Sequence, residues 1–165
     1  MTRATIVIAI LCTMFHAPLA GQGSGTGEGV RIGISTGGIS TVALTVEFFR
    51  DDRSLDISIG TWSFRELSLS VTARQYFGSS NLKPFAGAGL WLAAAPPARG
   101  QAGTGMALIL RAPIGLDWSL AKSHASGLVL NLNRGLWLKQ SDPGDNLPMN
   151  GRLVPLPELY YRFTR

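Results

Sequence analysis

The sequence is poor in the residues that most metal and redox sites need. Its 165 residues include one cysteine, two histidines, 15% charged residues and 8% aromatic residues. A single cysteine excludes an internal disulfide framework and a cysteine-based zinc site. The formal charge of +5 comes from basic residues scattered singly, without the clustering that nucleic-acid binding requires. With 45% hydrophobic residues, the chain can still bury enough apolar surface to form one folded domain.

The first twenty residues have the layout of a secretory signal peptide. Arg3 supplies a positive charge, an almost unbroken apolar run extends from Ala4 to Phe15, and small residues follow Pro18. This run is too short for a membrane-spanning helix, which needs about 20 apolar residues. We therefore expect the protein to be exported and residues 1–20, which include Cys12, to be cleaved off. Residues 21–29 are then a flexible, glycine-rich segment, and residues 30–165 form the single domain.

Beyond this segment the sequence alternates with a period of two and shows no convincing helical periodicity, which predicts β-strands. An even number of strands of this length can close into an antiparallel barrel and can cross a bilayer when tilted. The prediction is therefore an all-β fold, an eight-stranded antiparallel up-and-down β-barrel of the transmembrane type. The predicted strands are Val30–Ser35, Ser40–Phe49, Leu55–Ser63, Glu66–Phe77, Lys83–Ala93, Gly105–Ser119, Ser126–Leu138 and Arg152–Phe163.

Two connections are much longer than the others. They are Ala94–Thr104 and Lys139–Gly151, both rich in turn-forming residues, and both fall at the same end of an up-and-down barrel. A rigid scaffold commonly presents its recognition residues on such loops. We expect these two loops to be extracellular and to carry any contact with an external ligand.

Aromatic residues concentrate near the ends of the predicted strands. Two aromatic belts separated by a membrane thickness are typical of transmembrane barrels, because these rings prefer the headgroup level. Aromatic residues also favour strand ends and cross-strand pairs in soluble barrels, which leaves that alternative open. The expected membrane-interface aromatics are Trp62, Trp91, Trp118, Trp137, Tyr160, Tyr161 and Phe163.

Three segments carry a family resemblance. The segment Leu159–Phe163 resembles the C-terminal strand of outer-membrane barrels, although two residues follow the phenylalanine here. Leu82–Gly89 and Leu110–Leu116 resemble two consecutive strands of small outer-membrane proteins. The chain thus resembles the small eight-stranded outer-membrane β-barrels of the outer-membrane protein A and X type. The resemblance implies a bacterial outer-membrane location, contact with the bilayer and lipopolysaccharide, and recognition of the last strand by the assembly machinery.

If the leucine-rich faces point towards lipid, the opposite faces line a lumen just wide enough for side chains. Charges in a narrow interior must be paired, because an isolated buried ion costs several kcal/mol. We expect the lumen to be packed with ion pairs; a narrow ion path is the alternative, and an excess of arginine there would favour anions. The predicted polar network consists of Glu47, Arg74, Arg111, Asn131, Asn133, Glu158 and Arg162.

Catalytic motifs are weak. His124 and Ser126 resemble the His-x-Ser pair of outer-membrane lipid A deacylases, but Leu136–Gln140 lacks the acidic residue that would complete it. Asp117 is the nearest acidic alternative on the preceding strand. No spacing resembles a metal or cofactor site, so we expect neither catalytic residues nor a cofactor.

Three functions follow, in order of preference. The first is an exported outer-membrane barrel with a structural or surface-interaction role. The second is a soluble periplasmic lipocalin-like barrel with its leucine faces turned inward around a small apolar ligand, since alternation alone does not say which face points out. The third is a lipid A-modifying enzyme that uses His124. The low charged fraction favours the first, because the outside of a soluble barrel should carry more charge.

Overall fold

A computed structural model describes residues 27–97, 103–139 and 152–164. Eight antiparallel strands follow one another around a closed barrel, and β1 pairs with both β2 and β8. The predicted fold is thereby confirmed. The described residues contain no helix long and apolar enough to cross a membrane. The strands are β1 (Glu28–Gly37), β2 (Ser40–Arg50), β3 (Arg53–Thr61), β4 (Leu67–Tyr76), β5 (Leu82–Ala95), β6 (Gly105–Ala121), β7 (His124–Lys139) and β8 (Val154–Thr164).

Most strand boundaries differ from the predicted ones by a few residues. β1 starts at Glu28, inside the segment expected to be flexible, because Glu28 pairs with Arg50 on the neighbouring strand. β7 starts at His124 because its ladder with β6 continues to Ala121. The expected signal peptide lies outside the described residues, as do residues 98–102 and 140–151 of the two long loops.

The two ends of the barrel differ in their connections. We call the end that carries the β1–β2 turn, residues 62–66 and the two long connections the loop end. The turn end carries Glu28, the tight turns at 51–52 and 122–123, residues 77–81 and Thr164. The long connections therefore share one end, as the strand order requires.

The interior is polar and the exterior is apolar. Along β2, Ala43, Thr45 and Glu47 are buried, whereas Leu44 and Phe48 between and beside them are exposed. Among the described residues, Tyr76, Phe85, Val129 and Tyr160 form a small apolar cluster in this interior. The period-two pattern thus orients the leucine-rich faces outward.

Glycines provide the space for the large interior rings. A Cβ on Gly127 would overlap the ring of Tyr160, and one on Gly115 would overlap the ring of Phe85. The ring of Tyr160 lies 6.5 Å from that of Phe85, centroid to centroid. A lumen of eight strands leaves little room for bulky side chains. These two glycines provide that room, because they let the rings lie flat against the barrel wall.

The β1–β2 turn folds over the lumen at the loop end. Gly37 and Gly38 have φ angles of 81° and 65°, a conformation that glycine adopts without steric cost. The turn carries Ile39 into the barrel, where it is only 1% exposed, and its carbonyl accepts a hydrogen bond of 3.0 Å from the Ser68 hydroxyl. The N–H of Gly38 donates to the carbonyl of Pro157 at 2.8 Å. Ile39 therefore covers the interior at this end.

Two prolines occupy the upper part of β8. The ladder between β1 and β8 ends at the pair Gly37 and Glu158, so Pro155 and Pro157 lie beyond the end of β1. The missing N–H groups of both prolines face this unpaired side, because the Pro157 carbonyl faces Gly38. Prolines are tolerated on such edges, since no ladder hydrogen bond is lost.

Residues 62–66 are held by a hydrogen-bonded carboxylate. The hydroxyl and the backbone N–H of Ser63 donate to Glu66 Oε2 at 2.5 and 3.2 Å. The hydrogen bond from the Ser63 side chain lowers the pKa of Glu66 below its ordinary value. This arrangement ends β3 before Ser63 and delays β4 until Leu67.

We expect Ser63→Ala to raise the pKa of Glu66 towards the value of an unperturbed glutamate. A lowered folded-state pKa adds stability above the unfolded-state pKa, and this contribution is lost as the pH falls through the folded-state value. The substitution removes that contribution, and an NMR titration of the Glu66 side chain measures it. Ser80→Ala, at the turn end, is the control and should leave the Glu66 titration unchanged. An identical titration in both variants would contradict the assignment.

Candidate lumen site

All seven residues predicted to line the lumen are buried inside the barrel. They divide into two hydrogen-bonded groups at different heights, which we call the turn-end network and the loop-end network. Asn133 is buried near the second group, where its side-chain amide donates to the backbone carbonyls of Asn131 and Val154. The networks also contain residues that the sequence did not identify.

Arg162 is the centre of the turn-end network. Its guanidinium contacts Glu47 Oε2 at 2.9 Å and Asp56 Oδ2 at 2.6 Å through different nitrogens. Arg74 Nη2 approaches the same Asp56 oxygen at 3.1 Å. The hydroxyl of Tyr76 donates to Glu47 Oε1 at 2.5 Å and accepts from Arg162 Nη1 at 3.2 Å. Four strands are thereby tied together across the interior.

The aromatic cluster supports these cations. The guanidinium of Arg162 lies 4.0 Å from the ring centroid of Tyr160, and that of Arg74 lies 4.9 Å from the ring of Phe85. The Tyr160 hydroxyl donates to Asp117 Oδ2 at 2.5 Å. A desolvated cation over an aromatic face is stabilised by about 2 kcal/mol, so the rings offset part of the cost of burying charge.

Arg111 is the centre of the loop-end network. It donates from Nη2 to Glu158 Oε2 at 2.5 Å, from Nε to Asn131 Oδ1 at 3.0 Å, and from Nη1 to the Ser70 hydroxyl at 3.0 Å. The amide of Asn131 donates back to Glu158 at 2.9 Å. A Cβ on Gly38 would meet both Glu158 and Asn131, so the covering turn rests directly on this network.

The sequence analysis missed three interior residues that matter, Asp56, Tyr76 and Asp117. Asp56 lies between the buried Ser54 and Ser58, so the alternation in β3 was the signal that could have found it. The ion-path alternative had considered that an excess of arginine in the lumen would favour anions. Within the described residues, the interior arginines are Arg31, Arg74, Arg111 and Arg162, and they face the carboxylates Glu47, Asp56, Asp117 and Glu158. The formal charges balance.

Two of the expected membrane-interface aromatics face inward instead. Trp91 is 7% exposed and Tyr160 is 4% exposed, and both alternate with outward-facing neighbours on their strands. Both residues were assigned to the membrane interface because they lie near strand ends. Whether a side chain faces the lumen or the lipid depends instead on its position in the two-residue repeat of the strand. The other five, Trp62, Trp118, Trp137, Tyr161 and Phe163, are exposed on the outside.

A small cavity lies inside the turn end. It has a volume of about 30 Å³ and is lined by Arg31, Phe49, Asp51, Tyr76, Lys83, Asp117 and Ser119. This is room for one or two water molecules among charged groups. The ring of Phe49 covers part of the opening, with the guanidinium of Arg31 4.5 Å from its centroid. The cavity therefore adjoins the turn-end network through Arg31 and Tyr76, whereas Ile39 covers the interior at the loop end.

His124 contacts outward-facing aromatic residues and belongs to neither network. Its Nδ1 shares a hydrogen bond with the Tyr161 hydroxyl, and its ring lies 5.3 Å from that of Phe163. The Ser126 hydroxyl donates to the backbone carbonyl of Tyr160 at 3.0 Å. Asp117, the acid considered as its partner, is bonded to Tyr160 instead. In the described part of the chain, no three His, Cys, Asp or Glu side chains are grouped as metal ligands would be.

Comparison with solved structures supports the fold. The chain is similar to the crystal structure of the N-terminal β-barrel domain of Pseudomonas aeruginosa OprF, with a TM-score of 0.60 and 15% sequence identity. The match covers 84% of this chain and 96% of that domain. No family model and no curated protein matches the sequence. The similarity confirms, at the level of the fold, the resemblance to small eight-stranded barrels of the outer-membrane protein A type.

Proposed function

We propose that this protein is an exported bacterial outer-membrane β-barrel with a structural or surface-interaction role. The observation that carries the proposal is the distribution of polarity: aliphatic side chains cover most of the outside of the described strands, and the buried charged side chains form ion pairs and hydrogen bonds inside. This is the reverse of a soluble domain and suits a barrel that is surrounded by lipid.

The outward residues support a lipid-facing exterior. Leu44, Ile34, Leu128 and Leu159 are each more than half exposed, and they lie on four different strands. Such a ring of exposed aliphatic side chains is a liability in water and an advantage in a bilayer. The outward aromatics Trp118 and Phe163 at the turn end, and Trp62 and Trp137 at the loop end, occupy positions suited to the two headgroup levels.

The closed interior supports a structural role over conduction. Ile39 covers the loop end, and Arg111 and Arg162 each bridge strands across the lumen. A conducting path would require these charge-assisted hydrogen bonds to break. The soluble lipocalin-like alternative needs an apolar interior and is not favoured, because buried Arg111 and Arg162 form three ion-pair contacts with carboxylates inside the barrel.

The remaining parts of the proposal concern cellular context. Residues 1–20 direct export, β8 with Tyr161 and Phe163 is recognised by the outer-membrane assembly machinery, and the exterior contacts phospholipid and lipopolysaccharide. The long connections at the loop end face the cell exterior and contact any surface partner. Loops on a rigid barrel are suited to such recognition.

A lipid A-modifying activity has little support. The hydroxyl of Ser126 is engaged with a backbone carbonyl, and His124 is bonded to Tyr161 without a carboxylate partner in contact. In the proposed orientation His124 lies at the periplasmic end, away from the outer leaflet. We therefore propose a non-enzymatic role and no cofactor; an altered lipid A profile in cells that lack the protein would contradict this.

We expect the protein to show heat-modifiable migration on a gel after refolding in detergent. The unheated barrel should migrate faster than the boiled chain, because an intact barrel binds less detergent and is more compact. The same chain refolded without detergent should give no such form, since its exposed aliphatic surface then has no apolar environment. A β-rich soluble monomer without detergent would contradict the membrane proposal and revive the apolar-ligand alternative.

A further inference from the structure

The apolar band on the outside of the barrel differs in height between opposite walls. We call the outward faces of β1, β2 and β3 the short wall and those of β5 and β6 the tall wall. In the short wall each strand has only three or four successive outward apolar residues. They are Val30, Ile32 and Ile34 on β1, Val42, Leu44, Val46 and Phe48 on β2, and Leu55, Ile57 and Ile59 on β3.

Polar groups border the short wall at both ends. At the loop end, the exposed Thr36 donates its hydroxyl to the Thr41 carbonyl at 2.7 Å. At the turn end, Arg50 pairs with Glu28 at 2.9 Å, and Arg53 Nε donates to Gln75 at 3.3 Å. The apolar band of this wall cannot be extended in either direction without including these groups.

On β5 and β6 themselves the tall wall has no such polar borders over a much greater length, and the exposed Arg134 of β7 lies beside it, opposite Leu110. β5 presents seven outward apolar positions in succession and β6 presents eight, because polar and glycine residues on these strands are confined to the inward positions. They are Leu82, Pro84, Ala86, Ala88, Leu90, Leu92 and Ala94 on β5, and Met106, Leu108, Leu110, Ala112, Ile114, Leu116, Trp118 and Leu120 on β6.

The difference is large on the scale of a membrane. Successive outward residues are about 6.6 Å apart along a strand, or roughly 4.7 Å along the axis of a barrel whose strands tilt by about 45°. The short wall therefore offers an apolar band of roughly 14–19 Å, and the tall wall one of roughly 33–38 Å. Transmembrane barrels usually present about 25 Å. Between the headgroup levels marked by Trp118 and by Trp137, which pairs with Leu108, β6 offers six outward positions or roughly 28 Å, so a bilayer that fits the tall wall is too thick for the short wall.

The backbone at the top of the short wall sets where lipid tails must end. The ladder between β1 and β2 is irregular between Ser35 and Gly37, and Gly38 with Ile39 forms the turn. Irregular backbone does not face hydrocarbon, because its polar groups would lack partners there. Headgroups and water must therefore reach this turn, a few residues above Ile34.

We propose that the bilayer is thinned beside the short wall, so that lipid headgroups and water descend to Thr36 and Thr41. The partner of this surface is the lipid bilayer itself. The inference rests on the proposed membrane location, and it adds that the surrounding bilayer differs in thickness from one side of the barrel to the other. The thinned region adjoins the top of the β1–β8 ladder, which ends at the pair Gly37 and Glu158, so the junction of the first and last strands lies in the region of least lipid cover. Thinning costs fractions of a kcal/mol per ångström of mismatch, less than the burial of unpaired backbone groups.

Cysteine labelling tests the proposal. The full chain with Cys12→Ser provides a background without cysteine. Three single substitutions are added separately: Thr36→Cys at the top of the short wall, Ile32→Cys within its apolar band, and Ala112→Cys at mid-height of the tall wall. Each variant is refolded into phosphatidylcholine vesicles with 18-carbon chains, and a water-soluble maleimide is supplied on both sides. The labelling rate of each refolded variant is divided by the labelling rate of the same variant unfolded in urea.

We expect Thr36→Cys to react at least about tenfold faster than Ile32→Cys and Ala112→Cys, because only a thiol in contact with water forms the reactive thiolate. Thr41→Cys is the second short-wall variant and should behave like Thr36→Cys. If both threonine positions label as slowly as Ala112→Cys, the bilayer is not thinned there, or a second copy of the chain covers the wall, and the inference is overturned. If Ile32→Cys and Ala112→Cys label as fast as the unfolded chain, the membrane location fails and the inference fails with it.

Discussion

Replacing Arg162 with methionine is expected to lower the free energy of unfolding by about 3–5 kcal/mol, because breaking a buried ion pair leaves the partner charge uncompensated. The substitution removes the contacts of 2.9 Å to Glu47 and 2.6 Å to Asp56 together with the bond to Tyr76. Methionine keeps most of the side-chain volume, so the loss is electrostatic. Urea unfolding of the barrel in lipid vesicles, followed by tryptophan fluorescence, measures the change.

Arg50→Met is the matched control. Arg50 pairs with Glu28 at 2.9 Å, but both side chains are exposed, and exposed pairs contribute about 0–1 kcal/mol. Its unfolding midpoint should stay close to that of the unmodified chain. The double variant Arg162→Met with Glu47→Gln should recover part of the loss, since removal of the Glu47 charge restores the charge balance of the interior. Equal midpoints for Arg162→Met and Arg50→Met would show that the turn-end network adds no stability.

The second large effect is expected from Gly127→Val. A side chain at this position would overlap the ring of Tyr160 on one side and the backbone carbonyl of Leu116 on the other. Backbone cannot move without disrupting the ladder between β6 and β7, so we expect a loss of about 3 kcal/mol or more from overpacking. The folded fraction on an unheated gel should fall accordingly, and the hydrogen bond from Tyr160 to Asp117 should be lost.

Gly78→Ala separates steric overlap from the general cost of replacing a glycine. Gly78 has a φ of 79°, but nothing lies within 4 Å of the position a Cβ would take. Its replacement should cost about 1 kcal/mol, from backbone strain alone. A Gly127→Val barrel as stable as the Gly78→Ala barrel would mean that Tyr160 can leave the wall, and the cluster around Arg162 would then need another explanation.

The fold followed from the sequence because alternation is a local property. Leu44 and Glu47 fall on opposite faces of β2 whatever surrounds the strand, since successive side chains point to opposite sides. The same rule places Tyr160 inward and Tyr161 outward on β8. The list of membrane-interface aromatics was based on distance from the strand end instead, and it therefore included both residues. Asp56 was missed for a similar reason, although its serine neighbours in β3 carried the signal.

The sequence did not predict in the same way which charged side chains pair with each other inside the lumen. Arg162 and Asp56 are 106 positions apart in the chain, and the contact between them exists only because β8 closes against β1. The expected pairing considered two glutamates and three arginines, whereas Asp56, Asp117 and Arg31 complete a balanced set. Closure and strand stagger decide which side chains reach each other across the interior.

The sequence by itself determined the number of strands, the shared end of the long connections and the two chemically different faces, because these depend on residue spacing along single strands. Only the tertiary structure decided that the charged faces point inward and that Ile39 covers the loop end. These features depend on distances between strands that are remote in the sequence. Spacing within a strand carries no information about such distances until the barrel closes.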